Sequence, residues 1–216
     1  MKAFIISNGQ MSNNDFYLNL FKEQRPDYVI CADGGANHLK KLGIIPNTII
    51  GDLDSISIKD LEYYKNLEVE IIKYPTKKDE TDTQLAIQYA TTLPIKEIVL
   101  LGVIGDRIDH SLGNIYLMED IVLKGLRVSI INENNIVYLI NKEIEIYGLI
   151  GEVVSLLPYS DKVTGILSEG LEYPLYNKDM IKSNPYGISN VINKKRVKIS
   201  IQSGLLLVIL SKDLTV

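Results

Sequence analysis

The chain has 216 residues, 46% of them hydrophobic, enough to bury a sizeable core as one large or two small domains. Its 23 basic and 27 acidic residues give a net charge of -4, which excludes the basic field that nucleic acid or an anionic membrane surface would require. One cysteine, Cys31, rules out an internal disulfide, and no apolar run approaches a signal peptide or a membrane span, so a cytoplasmic protein is expected.

Up to residue 131 short apolar runs alternate with helix-like stretches. Residues 3–7 read as a strand and 14–22 as a helix; then 28–32 and 36–42, 48–50 and 58–66, 69–72 and 82–92, and 97–101 and 111–123 repeat the pair, and 127–131 closes the series as a strand. Alternation of this kind predicts a three-layer α/β/α domain with a mostly parallel sheet covered on both faces. Cys31 falls inside the second strand, where it reads as a buried, inert thiol. From residue 132 the helical period stops, and short β-rich runs follow at 136–140, 152–157, 162–167, 197–201 and 205–210. These predict an all-β sandwich over 132–216, packed after an α/β domain over 1–131.

Seven aspartates fall in four short segments of the first part: Ala32-Asp33-Gly34-Gly35-Ala36-Asn37, Gly51-Asp52-Leu53-Asp54-Ser55, Lys78-Asp79-Glu80-Thr81-Asp82 and Gly105-Asp106-Arg107-Ile108-Asp109-His110. Three of the four directly follow a predicted strand, at the sheet edge where open α/β folds bind ligands. Carboxylates gathered there suit Mg²⁺ and a phosphorylated substrate, because hard cations take oxygen ligands. Asp52 and Asp54 stand two apart in what reads as an extended stretch, so both are expected on one side of the chain and on one metal. Ser57-x-x-Asp60 and Thr81-x-x-Gln84 have capping-box form and mark the starts of two helices. Asp82 is therefore either a dipole partner in a first helical turn or a member of the acidic site. The Gly102 to Asp106 loop offers free backbone N–H groups to an anion, and Arg107 offers a planar fork for phosphate. Asp109 is placed to cap the helix predicted at Ser111. The plainer alternative for this segment is a surface loop held by an Arg–Asp pair. Gly34-Gly35 could cradle phosphate in the same way, and His38 is expected on a solvated outer helix face.

Taken in this order, the four segments resemble those of the thiamine pyrophosphokinase (thiamine diphosphokinase) family. Gly105-x-Arg107-x-Asp109-His110 with Asn114, and in the β-rich part Gly170-Leu171-Glu172-Tyr173-Pro174-Leu175 and Ile188-Ser189-Asn190, extend the resemblance over most of the chain. It implies an α/β nucleotide-binding domain, a C-terminal β-sandwich and a homodimer with active sites at the subunit interface. It also implies the reaction, in which the thiamine hydroxyl attacks the β-phosphorus of ATP and AMP leaves. Mg²⁺ would sit on Asp52, Asp54 and Asp79, with Asp82, Arg107 and Asp109 also in the catalytic set. Asp33, Gly34, Gly35 and Asn37, then Thr81, Gly105, Asp106, His110 and Asn114, would surround the nucleotide. Tyr173, Ser189 and Asn190 would contact thiamine from the partner subunit. The chain has no Trp, and Tyr173 looks to fill a position held by Trp in animal enzymes. A phosphatase of the haloacid dehalogenase type also carries an Asp-x-Asp pair, but there the pair follows the first strand. A thiamine or nucleotide sensor would have discarded the acidic positions that this chain keeps.

Overall fold

The computed structural model describes residues 1–212. The chain divides into two compact units, the first Met1–Glu133 and the second starting at Asn134. In the first, strands β1 (Lys2–Ile6), β2 (Tyr28–Ala32), β3 (Thr48–Gly51), β4 (Glu70–Lys73), β5 (Glu97–Leu101) and β6 (Arg127–Ile131) alternate with helices α1 (Asn14–Gln24), α2 (Gly35–Leu42), α3 (Ile58–Asn66), α4 (Asp82–Thr91) and α5 (Ile108–Leu123).

All six strands of this unit run parallel, in the order β6-β5-β1-β2-β3-β4. β1, β2, β5 and β6 are buried along four of their five residues, as expected of apolar strands covered on both faces. Helix α4 lies across β1, β2 and β3 beside α5, while α2 lies on β1 and β2 beside α1. Cys31 is fully buried in β2, and burial pushes its thiol far above the usual range. Local chemistry starts the helices. The side chains of Asn13, Ser57 and Thr81 accept hydrogen bonds from the N–H groups of Phe16, Asp60 and Gln84, heading α1, α3 and α4. Helix α2 depends on a missing side chain instead. A Cβ on Gly35 would lie 2.0 Å from the Ile6 carbonyl oxygen, so only glycine lets α2 start against the end of β1.

The second unit holds β7 (Asn135–Ile140), β8 (Glu143–Tyr147), β9 (Val153–Pro158), β10 (Lys162–Glu169), β11 (Lys178–Ile181), β12 (Gly187–Val191), β13 (Arg196–Ser200) and β14 (Leu206–Ser211). They form two antiparallel sheets, β12-β9-β14-β7 and β11-β10-β13-β8. Both feed one apolar core: Val154, Leu156, Leu206 and Val208 come from the first sheet, and Ile146, Val163, Val197 and Ile199 from the second. Residues alternate between buried and half-buried along β9, the period expected of a strand with one face on a core. The sequence pattern marks five strands here and misses β8, β11 and β12. The charged residues of Glu143-Ile144-Glu145-Ile146 mask a period-2 strand, and the other two are short and polar.

Candidate active site

The strand order of the first unit reverses at β1, which has β2 on one side and β5 on the other, and the crevice beyond the strand ends opens there. A cleft of about 1010 Å³ fills it. Its walls are the loop after β1 (Ser7, Asn8, Gly9, Gln10), the acidic segments (Asp33, Gly34, Asp52, Thr81, Asp82) and the loop into α5 (Gly105, Asp106, Arg107, Asp109, His110, Asn114). Among the described residues, Gly35, Asn37, Asp54 and Asp79 lie outside this lining.

The acidic centre has a different membership from the one the sequence spacing suggests. Ligand atoms of Asp33, Asp52 and Asp82 lie within 4.8 Å of one another. Asp54 is not in this group because the chain does not stay extended after Asp52. Leu53 turns into the left-handed region at φ 67°, and Asp54 is exposed, accepting from the Ser55 hydroxyl at 3.0 Å. Asp79 is likewise exposed in the loop before α4. Asp33 is itself left-handed, at φ 40°, and only 7% exposed, and among the described residues its Oδ1 is a buried oxygen without a hydrogen-bond partner. Burial raises its pKa above the ordinary carboxylate range against hydrogen bonds from Ser55 and Gly34, and the charges of Asp82 and Asp54 add to the rise. Gly51 lets the three approach: a Cβ there would come within 2.9 Å of Asp33 Cβ and 3.1 Å of Asp82 Cγ. An all-oxygen triad with an orphaned buried oxygen fits a hard divalent cation such as Mg²⁺.

Several of the residues expected at the ligand also brace the loops around the cleft. Asn37 Nδ2 donates to the Ser55 carbonyl (2.9 Å) and holds the Asp52 loop from outside the cleft. Gly35 is required for helix packing, as its clearance from Ile6 shows. Asn114 Nδ2 donates to the Val103 carbonyl (2.7 Å), and the Ser111 hydroxyl bridges the N–H and C=O of Gly105 (3.1 and 3.2 Å), so α5 braces the glycine loop. Helix α5 begins at Ile108, three residues earlier than expected, which places Asp109 in its first turn with Arg107 at the cap position. Arg107 Nε and Nη2 donate to Asp109 (3.2 and 2.6 Å), with side chains 70% and 65% exposed. The Arg–Asp pair of the plainer alternative is thus present, at the mouth of the cleft. Its bonds raise the Arg107 pKa and lower that of Asp109.

Sequence reading assigned no role to the loop after β1, although the strand-end rule covers it as well as the others. Gly9 and Gln10 donate to the carbonyls of Gly102 (2.6 Å) and Ile104 (3.1 Å), tying this loop to the glycine loop. His38, expected in solvent, is half-buried and donates from Nε2 to the Gly9 carbonyl at 2.8 Å; burial and Lys41 keep its pKa below the usual histidine value despite that bond. Lys78, which opens the third acidic segment and was given no role from sequence, points inward and donates to Asp82 Oδ1 at 2.7 Å. Burial would lower its pKa, but the bond to Asp82 and the charges of Asp82, Asp52 and Asp33 outweigh that and raise it.

In the second unit Tyr173 is 66% exposed and Ser189, at φ 59°, is also exposed. Asn190 is buried and does not present its amide to solvent. Its Oδ1 accepts from the N–H groups of Tyr173 (3.0 Å) and Val191 (2.9 Å), and its Nδ2 donates to the Tyr173 carbonyl (2.7 Å). Asn190 therefore sets the Tyr173 backbone.

An open parallel sheet that gathers carboxylates, an inward lysine and a braced glycine loop in the crevice where its strand order reverses defines an α/β enzyme that handles phosphate esters. Residues 20–130 match the family model described as Thiamin pyrophosphokinase, catalytic domain, and residues 138–206 that described as Thiamin pyrophosphokinase, vitamin B1 binding domain. The chain belongs to the thiamine pyrophosphokinase family. It is similar to thiamine pyrophosphokinase of Bacillus subtilis, 29% identical over 191 residues that cover 85% of this chain and 87% of the relative. It is also similar to thiamine pyrophosphokinase 1 of rice, 28% identical over 82% of this chain and 76% of that protein. The crystal structure of the Bacillus subtilis enzyme superposes with a TM-score of 0.87 at 26% identity, covering 99% of this chain and 100% of that one. That of Candida albicans thiamin pyrophosphokinase, at 21% identity, shares the fold with a TM-score of 0.83 over 98% of this chain and 89% of that one. The family's activity is ATP-dependent transfer of diphosphate to thiamine.

Proposed function

We propose that this chain performs the family reaction in the cleft of its first unit, with Mg²⁺ held by Asp33, Asp52 and Asp82. The observation that carries the assignment is the triad itself, three convergent carboxylates of which one keeps a buried oxygen unpartnered. Mg²⁺, when bound, draws negative charge off the phosphate oxygens. Asp54 and Asp79, both exposed, are assigned to its outer positions.

The chain's own groups position the reactants. The Gly102–Asp106 loop and the first turn of α5 line the cleft and are assigned to the phosphates. Arg107, at the mouth, exchanges Asp109 for a phosphate oxygen when the nucleotide enters. Thiamine is a cation, and a Tyr ring stacks on such a face, which assigns Tyr173 and the neighbouring Ser189 to the acceptor. In the reaction, the thiamine hydroxyl oxygen forms a bond to the β-phosphorus as the bond to the α–β bridging oxygen breaks. AMP departs with that electron pair, and the hydroxyl proton passes to water. Diphosphate transfer demands positioning and charge neutralisation more than covalent chemistry, and the cleft supplies those.

The acting unit is proposed to be a homodimer in which the β-sandwich of one chain brings Tyr173 to the α/β cleft of the other, in the cytoplasm. The deciding experiment incubates the protein with ATP, Mg²⁺ and thiamine. AMP and thiamine diphosphate should appear in equal amounts, and EDTA should abolish both. ADP as the nucleotide product would overturn diphosphate transfer.

A further inference from the structure

We propose that Lys78 is a resident counter-ion of the acidic triad: its ammonium holds the divalent cation's place on Asp82 until that cation arrives, and is then released toward the phosphates. The inference rests on Asp33, Asp52 and Asp82 being the metal set. Three carboxylates with ligand atoms within 4.8 Å of one another repel when no cation separates them. Lys78 answers that repulsion from inside the site, since its Nζ is 2.7 Å from Asp82 Oδ1 and its side chain is only 11% exposed. A surface pair such as Arg107–Asp109, with both partners mostly in water, has no comparable hold on its partner.

Lys78 sits in the loop ahead of α4, four residues before Asp82 and outside the helical ladder. Its four-carbon stem can therefore swing without disturbing the cap made by Thr81. A metal ion and an ammonium held on the one carboxylate of Asp82 repel each other, so loading one expels the other. The expelled ammonium remains in the cleft it already lines, beside the negative charge of the incoming diphosphate.

The test uses Mn²⁺ alone as probe, with free Mn²⁺ read by electron paramagnetic resonance in the absence of nucleotide, on variants shown to be folded by circular dichroism. Lys78→Met should bind Mn²⁺ roughly tenfold more tightly than the wild type, because a competing positive charge is gone. Lys78→Arg should bind it as the wild type does. With Mg²⁺, ATP and thiamine, kcat of Lys78→Met should fall about 100-fold while KM for thiamine stays within about threefold. Should Lys78→Met fail to fold, Lys78→Gln carries the same expectation. Mn²⁺ binding by the neutral variant that is no tighter than wild type overturns the proposal. Asp52→Asn separates the two levels: if it weakens Mn²⁺ binding and the Lys78 variant does not tighten it, only the counter-ion role fails. If Asp52→Asn leaves Mn²⁺ binding untouched, or the wild type binds none, the metal set fails and this inference with it.

Discussion

Asp82 shows how one residue can satisfy two readings. It occupies the first turn of α4, where a carboxylate complements the helix dipole, and it belongs to the triad. Sequence could not separate these roles, because a capping box at Thr81 explains an acidic first turn without any ligand. Substitution separates them. Asp82→Asn keeps the turn and removes the charge, so activity should fall at least ~100-fold, about 2.7 kcal/mol of transition-state stabilisation, with a nearly unchanged melting curve. Activity within tenfold of wild type in a folded Asp82→Asn protein would take it out of the catalytic set. Gly35 is the opposite case, a motif glycine whose work is packing. Gly35→Ala places a methyl against the Ile6 carbonyl oxygen and should cost about 1–3 kcal/mol in denaturant unfolding. A Gly35→Ala protein as stable as wild type would show that α2 can shift away from β1.

At the scale of elements, Glu133 does for α1 what capping side chains do elsewhere. Its Oε1 accepts from the N–H groups of Ser12 (2.7 Å) and Asn13 (2.9 Å), and its Oε2 from the Tyr17 hydroxyl (2.9 Å), tying the start of α1 to the residues after β6. Burial would raise the Glu133 pKa, but these hydrogen bonds outweigh it and the net shift is downward from 4.5. A carboxyl depressed in the folded state contributes stability above its unfolded pKa and loses it as pH falls through the folded value. Glu133→Gln should therefore cost about 1–3 kcal/mol near neutral pH and flatten the acid limb of stability below about pH 4.5. An unchanged acid limb in the melting temperature against pH would contradict this. Glu133 carries no sequence signal, since its partners lie more than a hundred residues upstream. The elements of the first unit were legible because buried parallel strands read as apolar runs and three of the five helices, α1, α3 and α4, open on Asn, Ser or Thr. Helix α5 was misplaced at its start, because it has no side-chain cap and the glycine loop runs straight into it. The Asp-x-Asp motif was legible as a site but not as a geometry, since one left-handed residue, Leu53, decides which carboxylates converge.

For the whole molecule, the two units divide the proposed labour: carboxylates and glycine loop in the first, Tyr173 and Ser189 in the second. Among the described residues no helix is long and apolar enough to cross a membrane. If the homodimer shares its sites, co-expressing Asp82→Asn with Tyr173→Ala chains should restore activity up to about a quarter of wild type, since one site of each heterodimer is free of both changes and random pairing makes half the dimers mixed. Heterodimers as inactive as either parent would mean that each chain completes its own pocket. Asn190→Ala is the wrong partner for this test. It would strip two hydrogen bonds from Tyr173 and one from Val191, and confound substrate contact with local unfolding.

The burial of Cys31 makes the protein chemically silent toward thiol reagents. Native protein should release no rapid colour with Ellman's reagent and one equivalent after denaturation. Any new cysteine at an exposed position then becomes the sole reactive handle in the folded chain. A dye placed on Tyr176→Cys, an exposed position three residues from Tyr173, would follow thiamine arrival without any background label to remove.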